Sequence, residues 1–331
     1  MDEAPPRAAD ALRRRLTTIM AGQTPPEEIR AFLLDLAQRG ETAEEIATAV
    51  EVLRAHAVPL PLANPEGLCD TCGTGGDGQG TLNVSTLAAL AAAAAGVRIA
   101  KHGNRAASSR CGSADLLEAL GVNLAAAPAQ VARSIDTLGF GFCFALAFHP
   151  AMKAVAPVRK ALGIRTIFNL VGPLANPAPL AFQLVGVSEA RLLRPMAEAL
   201  ARLGVRRGLV VHGEDGMDEV TTTGPTRMLE LRDGRIAEQR LTPKEAGLPR
   251  ATAASLRGGD AAQNAAIARQ VLDGAAGPAQ DIVALNAGCA VYLAGLAATI
   301  AEGVRVAQEA LRAGRAAALL ADAARLSREP A

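Results

Sequence analysis

Aromatic residues are scarce: the 331 residues include no tryptophan, one tyrosine and seven phenylalanines. Half of the chain is hydrophobic by count, and alanine supplies much of that. An excess of charge of either sign is also missing. The formal net charge is +1, so no strong overall field draws the chain to nucleic acid or a membrane, and anionic ligands must be caught by local groups. Long apolar runs are absent too: residues 87–96 are Ala-rich and too short to span a bilayer, and Arg98 and Lys101 follow them. Five cysteines form no even framework and the N-terminus carries no signal-like segment. These absences lead us to expect a soluble protein of the reduced cytoplasm, with no nucleic-acid or membrane partner.

The length suits one large or two ordinary domains with a full-sized core. The first 60 or so residues read as helices, at 11–21, 29–39 and 42–56. Thr24 with Pro25 and Pro26, Gly40, and Thr42 through Glu45 supply start and stop signals. Ile46, Val50 and Leu53 fall on one helical face. A Pro-rich stretch at 59–65 breaks the pattern. From Gly67 onward, short apolar runs at 97–100, 140–144, 183–186 and 208–212 alternate with helical segments, which predicts an α/β domain with a largely parallel sheet. Residues 152–162 and 166–176 interrupt this alternation as helices with no strand between them. The expected architecture is a small discontinuous α-helical domain (1–66 and 150–176) plus a larger α/β domain with a mainly parallel central sheet (67–149 and 177–331). The tail, at 264–274, 281–311 and 313–327, reads as Ala-rich helix.

The chemistry concentrates in two loops. Gly73-Thr74-Gly75-Gly76-Asp77-Gly78 leads through Asn83-Val84-Ser85-Thr86 into an alanine run, with the helix expected to open at Ser85 and Thr86. Lys101-His102-Gly103-Asn104-Arg105 follows about one helix later and continues through Ser108, Ser109 and Ser113, with Ser113 expected to cap the next helix. Each layout directs backbone N–H groups and a positive helix end at an anion, and two side by side suit a ligand with two separated phosphate groups. The glycines match G-x-G-x-x-G, but no acidic residue stands about 20 positions on to bind a ribose. A Walker loop would need Lys and Ser or Thr where Gln79 and Gly80 stand. Lys101 can place a point charge on a phosphate. Asp218-Glu219 follow a strand-like run and could hold Mg²⁺ or be solvated loop acids. Arg159 could clamp a carboxylate in a bidentate fork or be a surface helix arginine. Cys69 and Cys72 lack a second ligand pair and read as small strand residues; His149 and His212 read as structural.

At these residues the chain resembles the anthranilate phosphoribosyltransferases of tryptophan biosynthesis. The resemblance is strongest in residues 73–86, 101–121, 149–177 and 211–224. It implies contacts of phosphoribosyl pyrophosphate with Gly73, Gly76, Asp77, Thr81, Asn83, Ser85, Thr86, Lys101, Asn104, Ser109 and Ser113. It further implies Mg²⁺ held by Ser85, Asp218 and Glu219, and anthranilate near Gly73, His102, Asn104 and Gly172 with its carboxylate facing Arg159. Catalysis would then rest on Asp218, Glu219, Arg159 and Asn104, in a homodimer built on the helical domains. Leu82 departs from a frequent Phe, and Ala145-Leu146-Ala147-Phe148 departs from a stretch that usually carries Pro. Two rival activities rank behind that transferase: a pyrimidine-nucleoside phosphorylase, which would not require the Asp218-Glu219 pair, and a non-catalytic nucleic-acid binder, against which the near-neutral charge and the intact glycine and acidic motifs argue.

Overall fold

Three helices open the fold in this computed structural model, which describes residues 8–106 and 109–330; Ser108 therefore lies outside the described residues. The expected Thr24 cap is not formed, since Pro25 holds the cap position of the second helix without a side-chain bond. The helices are α1 (Ala8–Met20), α2 (Pro26–Arg39) and α3 (Ala43–Ala55). Thr42 and Glu45 close a reciprocal capping box at the start of α3: Glu45 N–H donates to Thr42 Oγ1 at 3.2 Å and Thr42 N–H to Glu45 Oε2 at 2.9 Å. Ile46, Val50 and Leu53 are buried, as their spacing predicts.

The chain then alternates through β1 (Leu68–Gly73), α4 (Val84–Ala94), β2 (Arg98–Gly103), α5 (Ser113–Ala119), α6 (Pro128–Leu138) and β3 (Phe140–Phe144). Next come the short α7 (Ala145–Phe148), α8 (Ala156–Leu162) and α9 (Ile167–Leu174), without a strand between them. Then follow β4 (Leu180–Gly186), α10 (Leu193–Arg202), β5 (Arg207–Gly213), β6 (Thr226–Arg232) and β7 (Arg235–Leu241). The tail holds α11 (Ala261–Leu272), α12 (Pro278–Leu293), α13 (Ile300–Arg312) and α14 (Arg315–Leu326).

The strands form one sheet in the order β3-β2-β1-β4-β5-β6-β7. β1 to β5 pair in parallel, whereas β6 and β7 add an antiparallel edge. The fold is thus the expected one: a small helical unit with an α/β domain around a mainly parallel sheet. Alternate residues of β4 and β5 serve opposite faces. Leu184, Leu209 and Val211 pack with α4 and α12, while Val185 and Val210 pack with α10 and the N-terminal helices. That second face also takes in Val155, Val158 and residues of α9, so α8 and α9 share a core with α1–α3. Arg54 of α3 reinforces the junction by donating from Nη2 to the Leu174 carbonyl at 2.7 Å.

Several expectations need correction. Residues 152–162 are not one helix: a 3₁₀ turn, Pro150–Ala154, precedes α8. The tail segment 281–311 is broken after α12, where Gly295 adopts φ +77° and Thr299 caps α13 by accepting from Glu302 N–H at 3.2 Å. The β6–β7 hairpin was not anticipated. Its signal is the two-residue Asp233-Gly234 turn, with φ of 48° and 80°, the favoured chemistry for a tight hairpin. Among the described residues no helix is long and apolar enough to cross a membrane.

Candidate active site

β1 has β2 on one side and β4 on the other, so successive crossovers diverge there and leave a crevice beyond the strand ends. In open α/β sheets such a switch point is where ligands bind. Four chain segments meet at this edge: the glycine loop after β1, the second loop after β2, Val187-Ser188 after β4 and the acidic loop after β5.

The glycine loop is held open by its backbone. Gly75, Gly76, Gly78 and Gly80 all take φ between +63° and +78°, a region that side chains disfavour. The N–H groups of Gly76, Asp77 and Gly78 find no protein acceptor among the described residues, as an anion-binding nest requires. α4 starts one residue earlier than expected, at Val84, and Asn83 takes the cap position without a side-chain cap bond. Ser85 and Thr86 therefore sit in the first turn rather than at the cap.

Asp218 and Glu219 lie against this loop. Asp218 Oδ2 accepts from Gly75 N–H at 2.6 Å, and Glu219 Oε1 accepts from Ser85 N–H at 3.0 Å. Asp218 is packed so tightly on the ends of β1 and β4 that a Cβ on Gly73 or Gly186 would collide with it. Burial, with Asp77 beside it, pushes the Asp218 carboxyl up to about 6. Burial and the neighbouring Asp218 push Glu219 well above the usual carboxylate range, with Lys101 opposing. Asp215 fixes the approach to this pair: it accepts from Thr221 Oγ1 at 2.7 Å, from Thr223 Oγ1 and from Met217 N–H at 3.1 Å. Gln79 ties the two loops by donating to the Asp215 carbonyl at 3.0 Å.

The second loop is pinned at its base by Asp115, which accepts from Ala106 N–H at 2.8 Å and Gly112 N–H at 2.9 Å. Ser113 is the first residue of α5, not its cap; Gly112 holds that position. Ser113 Oγ instead accepts from Thr86 Oγ1 at 2.9 Å, joining the two halves of the site. Asn104 and Ser109 are exposed at the loop surface, and Thr81 bridges to Arg257. Arg105 is not free to meet a ligand, because it is paired with Asp115 and Glu118. Lys101 is 2% exposed. Its Nζ donates to the Thr71 carbonyl at 2.6 Å and the His102 carbonyl at 3.2 Å, so one of its three hydrogens has no acceptor among the described residues.

The remaining sequence-predicted residues gather around α9. Arg159 stacks over Phe168, with its guanidinium carbon 5.5 Å from the ring centroid, and donates from Nη2 to Asn169 Oδ1 at 3.4 Å. Burial lowers its pKa, and no carboxylate faces it among the described residues, which leaves a cation ready for an anionic ligand. Arg165, by contrast, is already paired with Glu189 at 3.0 Å. The Gly172 backbone adjoins His102, whose imidazole burial, with His149 and Lys101 close by, pushes down to about 3. His149 stands edge-on to it, with ring centroids 5.2 Å apart. Cys69 and Cys72 are buried β1 residues with free thiols, as their unpaired spacing suggested.

A hard divalent cation fits this site. Among the described residues no group of three or more His, Cys, Asp or Glu side chains forms a ready metal cage. Magnesium, however, commonly takes one or two carboxylates with waters and phosphate oxygens supplying the rest. Buried, poorly compensated carboxylates beside a nest of N–H donors meet that requirement.

Residues 8–57 match the helical bundle domain of the glycosyl transferase family and residues 66–317 its a/b domain. The two units together place the chain among the glycosyl transferases. The anthranilate phosphoribosyltransferase of Rubrobacter xylanophilus is 52% identical over 324 residues, spanning 98% of this chain and 94% of the relative. The crystal structure of the Thermus thermophilus enzyme agrees with a TM-score of 0.93 at 49% identity, covering 98% of this chain and 97% of that one. The Saccharomyces cerevisiae enzyme in complex with PRPP and Mg agrees with a TM-score of 0.89 at 29% identity, covering 97% and 93%. Within the glycosyl transferases, the chain belongs to the anthranilate phosphoribosyltransferase family.

Proposed function

We propose that the crevice at the ends of β1, β2, β4 and β5 binds 5-phosphoribosyl 1-pyrophosphate through the two loops and anthranilate beside α9. The enzyme transfers the phosphoribosyl group to the amine of anthranilate, giving N-(5-phosphoribosyl)anthranilate and pyrophosphate, a step of L-tryptophan biosynthesis. One observation carries the site reading. Free N–H groups that attract an anion lie against the carboxylates Asp77, Asp218 and Glu219, which repel one, and a cation between them reconciles the two.

Mg²⁺ is the cation we assign, held by Ser85, Asp218 and Glu219; bound there, it would neutralise charge on the pyrophosphate. The N–H groups of Gly76 and Asp77, together with Thr81, Asn83, Thr86, Lys101, Ser109 and Ser113, hold the phosphate groups and ribose. Fixed donors aimed at developing charge contribute roughly 3–4 kcal/mol each in other enzymes. Arg159 receives the carboxylate of anthranilate, and Gly73, His102, Asn104 and Gly172 flank its ring. An aryl amine is neutral at pH 7, so its lone pair attacks the ribose carbon without a general base as the bond from that carbon to pyrophosphate breaks. The surplus proton of the amine leaves to pyrophosphate or solvent. The neutral His102 adds no positive charge against the forming oxocarbenium-like ribose. Holding both substrates in line supplies much of the remaining acceleration.

The packing of α8 and α9 with α1–α3 supports treating 1–66 and 150–176 as one helical unit and 67–149 with 177–331 as the other. Their relative closure would exclude water from the reactive ribose. We assign a homodimer to the helical unit, testable by light scattering.

The test is the loss of anthranilate fluorescence on mixing with phosphoribosyl pyrophosphate and Mg²⁺, with little interference because the chain has no Trp. A decay at substoichiometric enzyme that requires Mg²⁺ is expected. A decay indifferent to Mg²⁺ and to its chelation would refute the cation assignment.

A further inference from the structure

A segment far along the chain closes the wall of this crevice. Residues 256–259 run beside the exit of the glycine loop: Leu82 N–H donates to the Leu256 carbonyl at 3.0 Å, and Gly258 N–H to the Gly80 carbonyl at 2.9 Å. The fit leaves no room for a side chain, since a Cβ on Gly258 would stand 2.6 Å from the Thr81 carbonyl oxygen and 2.8 Å from Asn264 Oδ1. Behind this segment Asn264, on the first turn of α11, is 3% exposed.

Its side chain begins a relay. Gly259 N–H donates to Asn264 Oδ1 at 2.6 Å, Asn264 Nδ2 donates to Asn83 Oδ1 at 2.8 Å, and Asn83 Nδ2 donates to the Cys111 carbonyl at 2.9 Å. The direction of the relay is fixed at both ends. A backbone N–H requires an oxygen of Asn264 and a backbone carbonyl requires a nitrogen of Asn83, so the middle bond has one possible polarity. The relay spans both anion-binding loops, because Asn83 ends the first and Cys111 lies in the second. It joins the loops through the Asn83 side chain and the Cys111 backbone carbonyl, beside the hydroxyl bond between Thr86 and Ser113.

We infer that Asn264 is a positioning residue for phosphoribosyl pyrophosphate: by holding Asn83 between α11 and Cys111, it sets the separation of the two phosphate-binding loops. This rests on the assignment of those loops to that substrate. The hydrogen bonds of Asn264 go to Gly259 and Asn83, and none goes to a residue assigned to anthranilate. Its loss therefore acts on one substrate.

The experiment compares Asn264→Ala, the near-isosteric Asn264→Asp, Asn83→Ala and the Asn83→Ala/Asn264→Ala double variant by steady-state kinetics with each substrate varied, alongside thermal unfolding. Aspartate still accepts from Gly259 but offers no hydrogen to Asn83, so it breaks the relay while filling the same space, and it decides the matter if the alanine variant does not fold. The expected result is a KM for phosphoribosyl pyrophosphate raised about tenfold, the effect of one well-placed hydrogen bond, with the KM for anthranilate changed less than twofold. The double variant should be no worse than Asn83→Ala. An unchanged phosphoribosyl pyrophosphate KM in Asn264→Asp, equal rises in both KM values, or effects that multiply in the double variant would each overturn the inference. An unchanged value in Asn83→Ala would remove the loop assignment itself, and the inference with it.

Discussion

Gly186→Ala places one methyl group where the structure has no space. Gly186 ends β4, and a Cβ there would overlap the carbonyl oxygen of Asp218. Ordinary contact at 3.4 Å would require that oxygen to retreat by about 1.8 Å, a shift larger than the 1 Å misplacement that already costs roughly 100-fold in enzymes. The Asp218 loop has little freedom to yield elsewhere, because Asp215 anchors it to Thr221 and Asp218 Oδ2 is bonded to Gly75. We therefore expect kcat/KM to fall by about 100-fold or more, a loss of about 2.7 kcal/mol in transition-state stabilisation. The overpacking itself should cost about 1–3 kcal/mol of stability, leaving a folded protein with an ordinary circular dichroism spectrum. Gly224→Ala, at a glycine between β5 and β6 with nothing within 4 Å of the added atom, serves as the control and should behave as the parent. The assay is anthranilate fluorescence over a Mg²⁺ titration. A folded Gly186→Ala enzyme within threefold of the parent would refute the claim that the Asp218 position is decisive.

Other expectations follow from the same geometry. Asp218→Asn with Glu219→Gln should cut turnover by at least 100-fold while leaving the melting temperature intact; parent-like turnover at saturating Mg²⁺ would remove the metal assignment. Arg159→Ala should raise the anthranilate KM about tenfold or more, in keeping with the loss of a charge-assisted pair. An unchanged value would move the clamp elsewhere, although Arg165 is already engaged with Ser188 and Glu189. Asp115 should contribute to stability only when ionised. Burial works to raise its pKa, but the amides of Ala106 and Gly112 and the Arg105 guanidinium outweigh it and hold the folded value below 3.8. A depressed folded pKa means that the contribution is present above the unfolded pKa and fades as pH falls through the folded one. Melting temperatures of the parent and Asp115→Asn should therefore differ at pH 6 and converge as the pH falls below the usual Asp range. A gap that persists at low pH would contradict the assignment.

Local physics made much of this protein readable from its sequence. The capping box of α3, the β3 run Phe140–Phe144 and the glycine loop each depend on neighbours within a few positions. The helix breaks near 150–154 and 295–299 are hidden in the sequence because Ala-rich composition favours helix on either side, and the turn at 295–299 is decided by packing of α13 against α12. The hairpin at Asp233-Gly234 was legible in principle, but its polar outer strand β7 carries little apolar alternation.

That loops dense in glycine and small polar residues follow strands and open helices is legible residue by residue, because backbone freedom and hydrogen-bonding capacity are local properties. The sequence also carries the residue types by which the family is recognised. How those loops meet is settled by the folded chain as a whole. Asp218 reaches Gly75 across 143 positions, Asn264 reaches Asn83 across 181, and Arg105 is diverted from the crevice to Glu118. Such pairings depend on strand order and on which side of β1 each crossover passes, and sheet topology is a property of the whole folded chain.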